Sequence, residues 1–140
     1  MVWFLRMGAD YYSDEFAPLD GGGRVHPFPR LLSIREDSPQ RQTRVTAEEL
    51  GGKTGVGPLP VSLLIFTQYK PGTRWRPKML SPGKGMLGLL ANAFAARSQP
   101  ERALGTLEKV VGRAQVLKGT RGEAKEVVES TLQTLENPIA

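Results

Sequence analysis

Residues 61–69, with the sequence VSLLIFTQY, decide the fold class of this chain. An almost unbroken apolar run extends from Val61 to Phe66, whereas a strand with one solvated face alternates apolar and polar residues. Burial on both faces would justify such a run. We therefore predict that residues 61–69 form the central strand of a sheet.

Three helices are predicted on the carboxyl-terminal side of this strand, because apolar residues recur there at helical spacing. They begin near Pro82, Pro100 and Gly122. Ser81 supplies a hydroxyl at the N-cap of the first helix, and Pro82 suits its first turn. Thr120 and Glu123 have the spacing of a capping box for the third helix. The apolar faces of all three helices are expected to pack on the core.

A β-hairpin is predicted on the amino-terminal side. Residues 10–19 and 24–28 contain aromatic and β-compatible side chains, and they flank the sequence DGGG at 20–23. Glycines in such a run allow the positive φ angles of a tight turn. The two flanking segments are therefore expected to pair with each other.

The stretch between the hairpin and the central strand is predicted to be irregular. A second extended piece is expected at 31–35, followed by a mobile polar loop at 36–44. Thr46 and Glu49 have capping-box spacing, so one short helical turn is expected before Gly51. With strands early and helices late in the chain, the fold class is mixed α/β.

The composition bounds the class of protein. The chain has 140 residues, of which 39% are hydrophobic and 24% charged, and this suits one globular domain over 1–140. The absence of cysteine excludes disulfides, thiolate nucleophiles and iron–sulfur clusters. The single histidine, His26, is expected at the surface or at a sheet edge. The apolar run at 1–7 is too short for a signal sequence or a membrane span, so we expect a cytoplasmic protein with no membrane partner.

The net charge of +5 arises in the second half of the chain, where twelve Lys and Arg residues face six acids. The densest part is the basic loop at 70–84, which contains no acid. Within it, Arg74, Arg76 and Lys78 are predicted to contact the phosphate of a bound ligand. The two arginines flank Trp75 and would also suit stacking on a base. Nucleic acid is nevertheless not an expected partner, because no recognition motif accompanies these residues.

Asp14 and Glu15 are the candidate catalytic and metal-binding residues. They lie in the sequence YYSDEF at 11–16, where two carboxylates at a strand end among aromatic residues are costly unless they meet a metal, a cation or a donor. Carboxylates suit Mg²⁺, and one can accept a hydroxyl proton in phosphoryl transfer. Alternation along a strand would instead point the two side chains to opposite faces and leave one in solvent. From the residues alone, both readings stay open.

Three stretches of the chain together resemble the carboxyl-terminal part of proteins related to the HPr kinase/phosphorylase family. They are YYSDEFAPLDGGGRVHPFPRLLSIR at 11–35, GVGPLPVSLLIFTQYKPGTRWRPKMLSP at 55–82 and RAQVLKGTRGEAKEVVESTL at 113–132. The resemblance implies a partial P-loop nucleotide fold, with an amino-terminal β-hairpin and a central strand packed against three carboxyl-terminal helices. Residues 2–7 then resemble the end of the helix that follows the phosphate loop, and Gly8 resembles its linker glycine.

The resemblance also implies an activity. The family transfers phosphate from ATP to a hydroxyl of a protein substrate with the help of Mg²⁺. Asp14 resembles the residue that acts as general base and helps hold the metal. Glu15 stands where the family usually has a second aspartate, and it departs from the family pattern in this respect.

The phosphate loop of the family, G-x-x-x-x-G-K-[ST], is missing from the chain. Gly52, Lys53 and Thr54 supply its last three letters, but no predicted strand precedes them, so we interpret them as a coincidental loop. The true loop is expected upstream of Met1, either because the reading frame is truncated or because the chain is a relic that has lost catalysis. The isolated chain is expected to be inactive and to bind Mg²⁺ and ATP weakly or not at all.

A function of a different class remains open. The chain is then a non-catalytic interaction module, in which the basic loop at 70–84 binds an acidic protein partner. Self-association into a homo-oligomer is expected under the family resemblance, because Trp3, Phe4 and Leu5 would lose the cover of the missing loop.

Overall fold

The structure is a computed structural model that describes residues 1–35 and 42–136. Its elements, in chain order, are α1 (Val2–Arg6), β1 (Asp10–Tyr11), β2 (Arg24–Val25), β3 (Leu32–Arg35), β4 (Gln42–Val45), the 3-10 helix η1 (Glu48–Leu50), β5 (Lys53–Thr54), β6 (Leu59–Pro60), β7 (Leu63–Tyr69), β8 (Lys78–Met79), α2 (Pro82–Leu90), α3 (Ala95–Ser98), α4 (Pro100–Val111), β9 (Gln115–Arg121) and α5 (Ala124–Glu136). The mixed α/β class predicted from the sequence is confirmed. None of the helices within the two described ranges has the length and apolar character needed to cross a membrane.

Contacts within the chain define two compact units. The first comprises Met1–Leu19 and Val25–Leu59, and the second comprises Asp20–Arg24 and Pro60–Ala140. The second unit is therefore discontinuous in sequence, because a short early segment belongs with the late strands and helices. The expectation of a single domain over the whole chain stays a prediction.

A small apolar core holds the first unit together. Its buried members are Leu5, Tyr11, Leu32 and Ala47. Leu5 is only 1% exposed, which corrects the expectation that this residue lies partly uncovered. Packing of α1 against η1 provides its cover. Trp3 and Phe4 are half-buried, and self-association through them stays a prediction.

The predicted β-hairpin is wrong except at its turn. β1 has only two residues and pairs in parallel with β5 instead of with residues 24–28. The antiparallel pairing is reduced to one bridge between Leu19 and Val25. The segment between β1 and this bridge contains charged residues and Pro18, which has no N–H to donate to a ladder. It therefore cannot continue a strand.

The extended piece predicted at 31–35 is confirmed as β3, but its partner was not expected. β4 pairs with it in antiparallel register, from Leu32 opposite Val45 to Arg35 opposite Gln42. The mobile loop predicted at 36–44 is therefore wrong over its last residues, while 36–41 lie outside the described residues. β4 is polar apart from Val45, so its pairing with β3 and not its own periodicity makes it a strand.

The capping box predicted at Thr46 and Glu49 is confirmed. The Thr46 N–H donates to Oε2 of Glu49 at 2.6 Å, and the Glu49 N–H donates to Oγ1 of Thr46 at 3.2 Å. The helical turn ends at Gly51, whose φ of +83° lies in the left-handed region that favours glycine.

The sheet of the second unit has the strand order β7-β9-β8. β7 runs parallel to β9, and β8 runs antiparallel to it. The prediction that residues 61–69 form the central strand is therefore wrong in position: among the described residues β7 lies at an edge of this sheet, and β9 is central. Burial agrees with this order, since Val116 and Leu117 in β9 are buried whereas the apolar residues of β7 are only half-buried.

Helices α2, α4 and α5 confirm the three helices expected near residues 82, 100 and 122. The Lys84 N–H donates to the Ser81 hydroxyl at 3.4 Å, as the predicted N-cap requires. The capping box predicted for the third helix is wrong, because Thr120 lies inside β9 and the helix begins only at Ala124. Two glycines bring α2 close to the sheet: a Cβ on Gly88 would lie 2.6 Å from the Phe66 ring, and Gly85 likewise faces Val116.

Residues Asp20–Arg24, the early segment of the second unit, are hydrogen-bonded to the end of α4 and the residues after it. Lys109 Nζ donates to the Gly21 carbonyl at 2.7 Å, and the Arg113 guanidinium donates to the Gly22 carbonyl. Gly23 has a φ of +72°, and a Cβ there would lie 3.2 Å from both Lys109 Cβ and a methyl of Val110. The triple-glycine turn is therefore shaped by its contact with the helix as well as by its own tight bend.

Candidate functional site

The predicted acidic pair lines a cleft of about 470 Å³ in the first unit. The cleft is formed by residues from three stretches of chain: Ser13, Asp14, Glu15, Phe16, Phe28, Arg30, Leu31, Ser33, Gln42 and Arg44. It therefore contains two carboxylates and two guanidinium groups beside three apolar side chains. We call it the acidic-pair cleft.

Hydrogen bonds fix the chain just before the pair. The Tyr11 hydroxyl donates to the Arg30 carbonyl at 3.2 Å, and the Phe28 N–H donates to the Tyr12 carbonyl at 2.7 Å. The Tyr12 hydroxyl donates to the Gly57 carbonyl, also at 2.7 Å. The residues just before the pair are thus tied to Phe28 and Arg30, which also line the cleft.

Asp14 and Glu15 lie in a bend after β1 and not at a strand end. The alternation argument, which placed the two side chains on opposite faces of a strand, therefore does not apply. Both residues are exposed, so the cost of burying a charge does not arise. Glu15 lies 3.7 Å from the Arg30 guanidinium, an exposed ion pair that contributes little to stability. The carboxylate of Asp14 faces solvent and is accessible to a ligand.

Arg30 and Arg44 are the residues of this cleft that sequence reasoning missed. Arg44 belongs to β4, which was predicted to be part of a loop. Antiparallel pairing places Arg44 opposite Ser33, and the Ser33 hydroxyl donates to Oε1 of Gln42 at 3.2 Å. The β-branched residues Thr43 and Val45 were a weak sequence signal for this strand.

Burial raises the pKa of the Tyr11 hydroxyl above its ordinary value, and the nearby charges of Asp14 and Glu15 act in the same direction. The phenol therefore stays protonated over the physiological range. In this form it remains a donor to the Arg30 carbonyl and keeps the wall of the cleft in place.

The carboxylates of the acidic-pair cleft fit a magnesium ion only when a bound ligand supplies part of its coordination shell. Among residues 1–35 and 42–136, no group of three His, Cys, Asp or Glu side chains lies close enough together to hold a metal. Mg²⁺ is commonly held by one or two carboxylates while phosphate oxygens and waters complete its shell. Asp14 and Glu15 suit that arrangement, in which the phosphate-bearing ligand brings the remaining oxygens.

A second cleft, of about 620 Å³, lies in the second unit. It is lined by Ile65, Phe66, Thr67, Gln68, Arg76, Lys78, Lys118, Gly119 and Thr120. We call it the basic cleft. Two of the three predicted phosphate contacts, Arg76 and Lys78, line it, whereas Arg74 is exposed and does not. Lys118, which was not predicted from the sequence, is the third cation that lines this cleft.

Trp75 is not available for stacking on a base. The side chain is 7% exposed, and a Cβ on Gly119 would lie 2.7 Å from its ring. The tryptophan is part of the core under β9, so the aromatic-flanked arginines do not form a stacking platform.

The residues Gly52, Lys53 and Thr54 are not a phosphate loop. Lys53 and Thr54 form β5, which pairs with β1, and no helix follows them before β6. The Thr54 hydroxyl donates to Oε1 of Glu48 at 2.7 Å. These residues therefore have a structural role, although they form a short strand and not the loop that was expected.

His26 is half-buried, and its backbone N–H donates to the Pro18 carbonyl at 2.9 Å.

Comparison of the chain with protein-family models, with curated proteins and with solved structures returned no match.

Proposed function

We propose that this chain works as part of an ATP-dependent phosphotransferase similar to the HPr kinases, and that it transfers phosphate to a hydroxyl group at the acidic-pair cleft. The observation that carries the proposal is the composition of that cleft. Two carboxylates for a base and a metal share it with two guanidinium groups of Arg30 and Arg44 that suit phosphate oxygens.

The local order of elements also supports the proposal. The resemblance implies the end of a helix, a linker glycine and a strand that carries an acidic pair, whereas here the pair lies in the bend that follows the strand. The chain has α1, then Gly8 with a φ of +87°, then β1, and then Asp14 and Glu15. A linker position with this φ favours glycine, so the matching residue has a backbone reason to be there.

The chemistry assigned to each residue follows from its charge and exposure. Asp14 accepts the proton of the substrate hydroxyl as the oxygen attacks the γ-phosphorus and the bond to the leaving ADP breaks. Asp14 and Glu15 are the residues that would hold Mg²⁺, which neutralises phosphate charge when bound. Arg30 and Arg44 orient the phosphate-bearing substrate through charge-assisted hydrogen bonds.

The first test is nucleotide binding by the chain alone. The phosphate loop normally provides most of the contacts to the β and γ phosphates, and its motif is absent from the chain. Calorimetry should therefore show no micromolar affinity for Mg·ATP in a variant with Lys78→Gln and Lys118→Gln, in which the basic cleft has lost two of its three cations. Micromolar affinity would show that the nucleotide site has been misplaced.

The second test uses the chain joined at Met1 to a segment that carries a phosphate loop with its lysine. In that protein, Asp14→Asn should lower the rate of transfer by about a hundred- to ten-thousand-fold while leaving ATP affinity unchanged. Asp10→Asn is the matched control, because Asp10 is also exposed and does not line the cleft. Full transfer by the Asp14 variant would overturn the proposal, as would the absence of transfer by the loop-bearing protein that keeps Asp14.

The alternative is the interaction module that binds an acidic protein partner through the basic loop at 70–84. Its support is the exposure of Arg74, Arg76, Lys78 and Lys84. The stretch is not a loop throughout, because Lys78 lies in β8 and Lys84 in α2. It gives no role to the carboxylates of the acidic-pair cleft, and for this reason phosphotransfer is the function that the geometry favours.

A further inference from the structure

The basic cleft contains three cations and no carboxylate among its lining residues. Arg76, Lys78 and Lys118 are all exposed, and none of them forms an ion pair with any residue that the structure describes. Surface lysines and arginines are commonly interspersed with acids. A concave surface with three unneutralised positive charges therefore attracts anions.

The sheet places two of these charges directly opposite each other. Lys78 and Lys118 are paired in the antiparallel register of β8 and β9, so their side chains share one face of the sheet. Like charges in this arrangement are destabilising. An anion bound between the two ammonium groups would remove that repulsion, which gives the pair a physical reason to bind one.

Neutral donors and an apolar floor complete the cleft. Phe66 is opposite Lys118 in the parallel register of β7 and β9, and its ring packs on α2 where Gly88 leaves room for it. The next pair on the same face of the ladder is Gln68 with Thr120, whose side chains can donate to ligand oxygens. These residues lie toward the carboxyl ends of two parallel strands, where open α/β sheets bind their ligands.

We propose that the basic cleft binds a small molecule that carries a diphosphate group, held by Arg76, Lys78 and Lys118. Two linked phosphate groups carry about three negative charges at neutral pH, which matches the three cations. The cleft volume of about 620 Å³ also suits a small ligand and is far larger than a single phosphate ion needs. This site goes beyond the phosphotransfer proposed for the acidic-pair cleft, which uses other residues.

The experiment is a calorimetric titration of the full chain with pyrophosphate at low salt, without nucleotide or hydroxyl substrate. Lys118→Gln and Lys78→Gln should each weaken binding about tenfold, as expected for the loss of one charge-assisted hydrogen bond. Arg74→Gln is the matched control, since it also removes one positive charge from the same unit but from outside the cleft, and it should change affinity less than twofold. Backbone amide signals of Gly119 and Thr120 should shift on titration.

Three results would overturn the proposal. The first is no pyrophosphate binding at low salt. The second is an equal loss of affinity in Arg74→Gln and Lys118→Gln, because this indicates only a diffuse positive field. The third is binding of an acidic peptide without phosphate that matches the affinity for pyrophosphate and is lost in the same variants, which identifies an acidic protein surface as the occupant. None of these results bears on Asp14, whose role is tested by phosphate transfer.

Discussion

At the scale of the residue, the acidic-pair cleft depends on one buried phenol. Tyr11 is 2% exposed, and its hydroxyl links β1 to the Arg30 carbonyl. Arg30 in turn provides the guanidinium that faces Glu15. Tyr11 does not itself line the cleft but holds Arg30, which does, and its ionisation should be visible in the stability of the protein.

Stability should fall at alkaline pH because of Tyr11. Its pKa is raised in the folded protein, so the unfolded chain releases this proton first as the pH passes about 10. The stabilisation is complete below the unfolded pKa and is lost as the pH rises through the folded pKa. Urea denaturation at pH 8 and above pH 10 measures this loss.

Tyr11→Phe tests whether this residue is the cause. The variant should lose about 1 kcal/mol at pH 8, because the Arg30 carbonyl loses its donor, and its stability should fall less steeply at alkaline pH. Tyr69→Phe is the control, since Tyr69 is 55% exposed. An unchanged alkaline slope in Tyr11→Phe would contradict the assignment.

At the scale of the element, glycines decide how closely the segments approach. A Cβ on Gly122 would lie 2.2 Å from the Thr73 carbonyl oxygen, which is backbone and cannot rotate away. Gly105 lies inside α4, and a Cβ there would have no neighbour within 4 Å. The two positions should respond to alanine in opposite directions.

We expect Gly122→Ala to destabilise the protein by about 1–3 kcal/mol through overpacking. Gly105→Ala should stabilise it by about 0.5–1 kcal/mol, because alanine loses less conformational entropy in a helix. Thermal unfolding of both variants measures the difference. Equal effects of the two substitutions would show that the contact between Gly122 and Thr73 is not tight.

Local signals in the sequence were sufficient to predict two elements whose capping residues are close together in the sequence. The helix at Pro82 and the turn at Thr46 were predicted because their caps involve residues within four positions. The order of the strands was not predictable in this way: β9 has only a short apolar run, and its central position arises from pairing with β7 and β8. The same difference separates the two clefts. Asp14 and Glu15 could be predicted as a pair because they are neighbours in sequence, whereas Lys118 and Lys78 are brought together only by strand pairing.

At the scale of the whole molecule, charge and connectivity both distinguish the two units. The second unit has thirteen Lys and Arg residues against seven acids, whereas the first has six against seven. The second unit also includes the early segment Asp20–Arg24, which reaches α4 through Gly21, Gly22 and Gly23. The second unit is therefore complete only when residues from distant parts of the chain have come together.

Gly23→Ala should destabilise the protein by about 1–3 kcal/mol, because it combines a left-handed φ with a close contact to α4. Gly21→Ala is the control, since a Cβ there meets nothing within 4 Å, and its effect should stay within about 0.5 kcal/mol. Amide hydrogen exchange of α4 should accelerate in the first variant only. Unchanged exchange in both variants would show that the turn does not support the helix.

The attachment of the triple-glycine turn to α4 also sets an order of events during synthesis. Gly21 leaves the ribosome 88 residues before Lys109, the lysine that binds its carbonyl. At a synthesis rate of about 5–20 residues per second, roughly 4 to 18 seconds pass between the synthesis of Gly21 and that of Lys109. During that interval its carbonyls are hydrated and its backbone is open to proteases, so the first part of the second unit to be made gains its helix contacts only long after its synthesis.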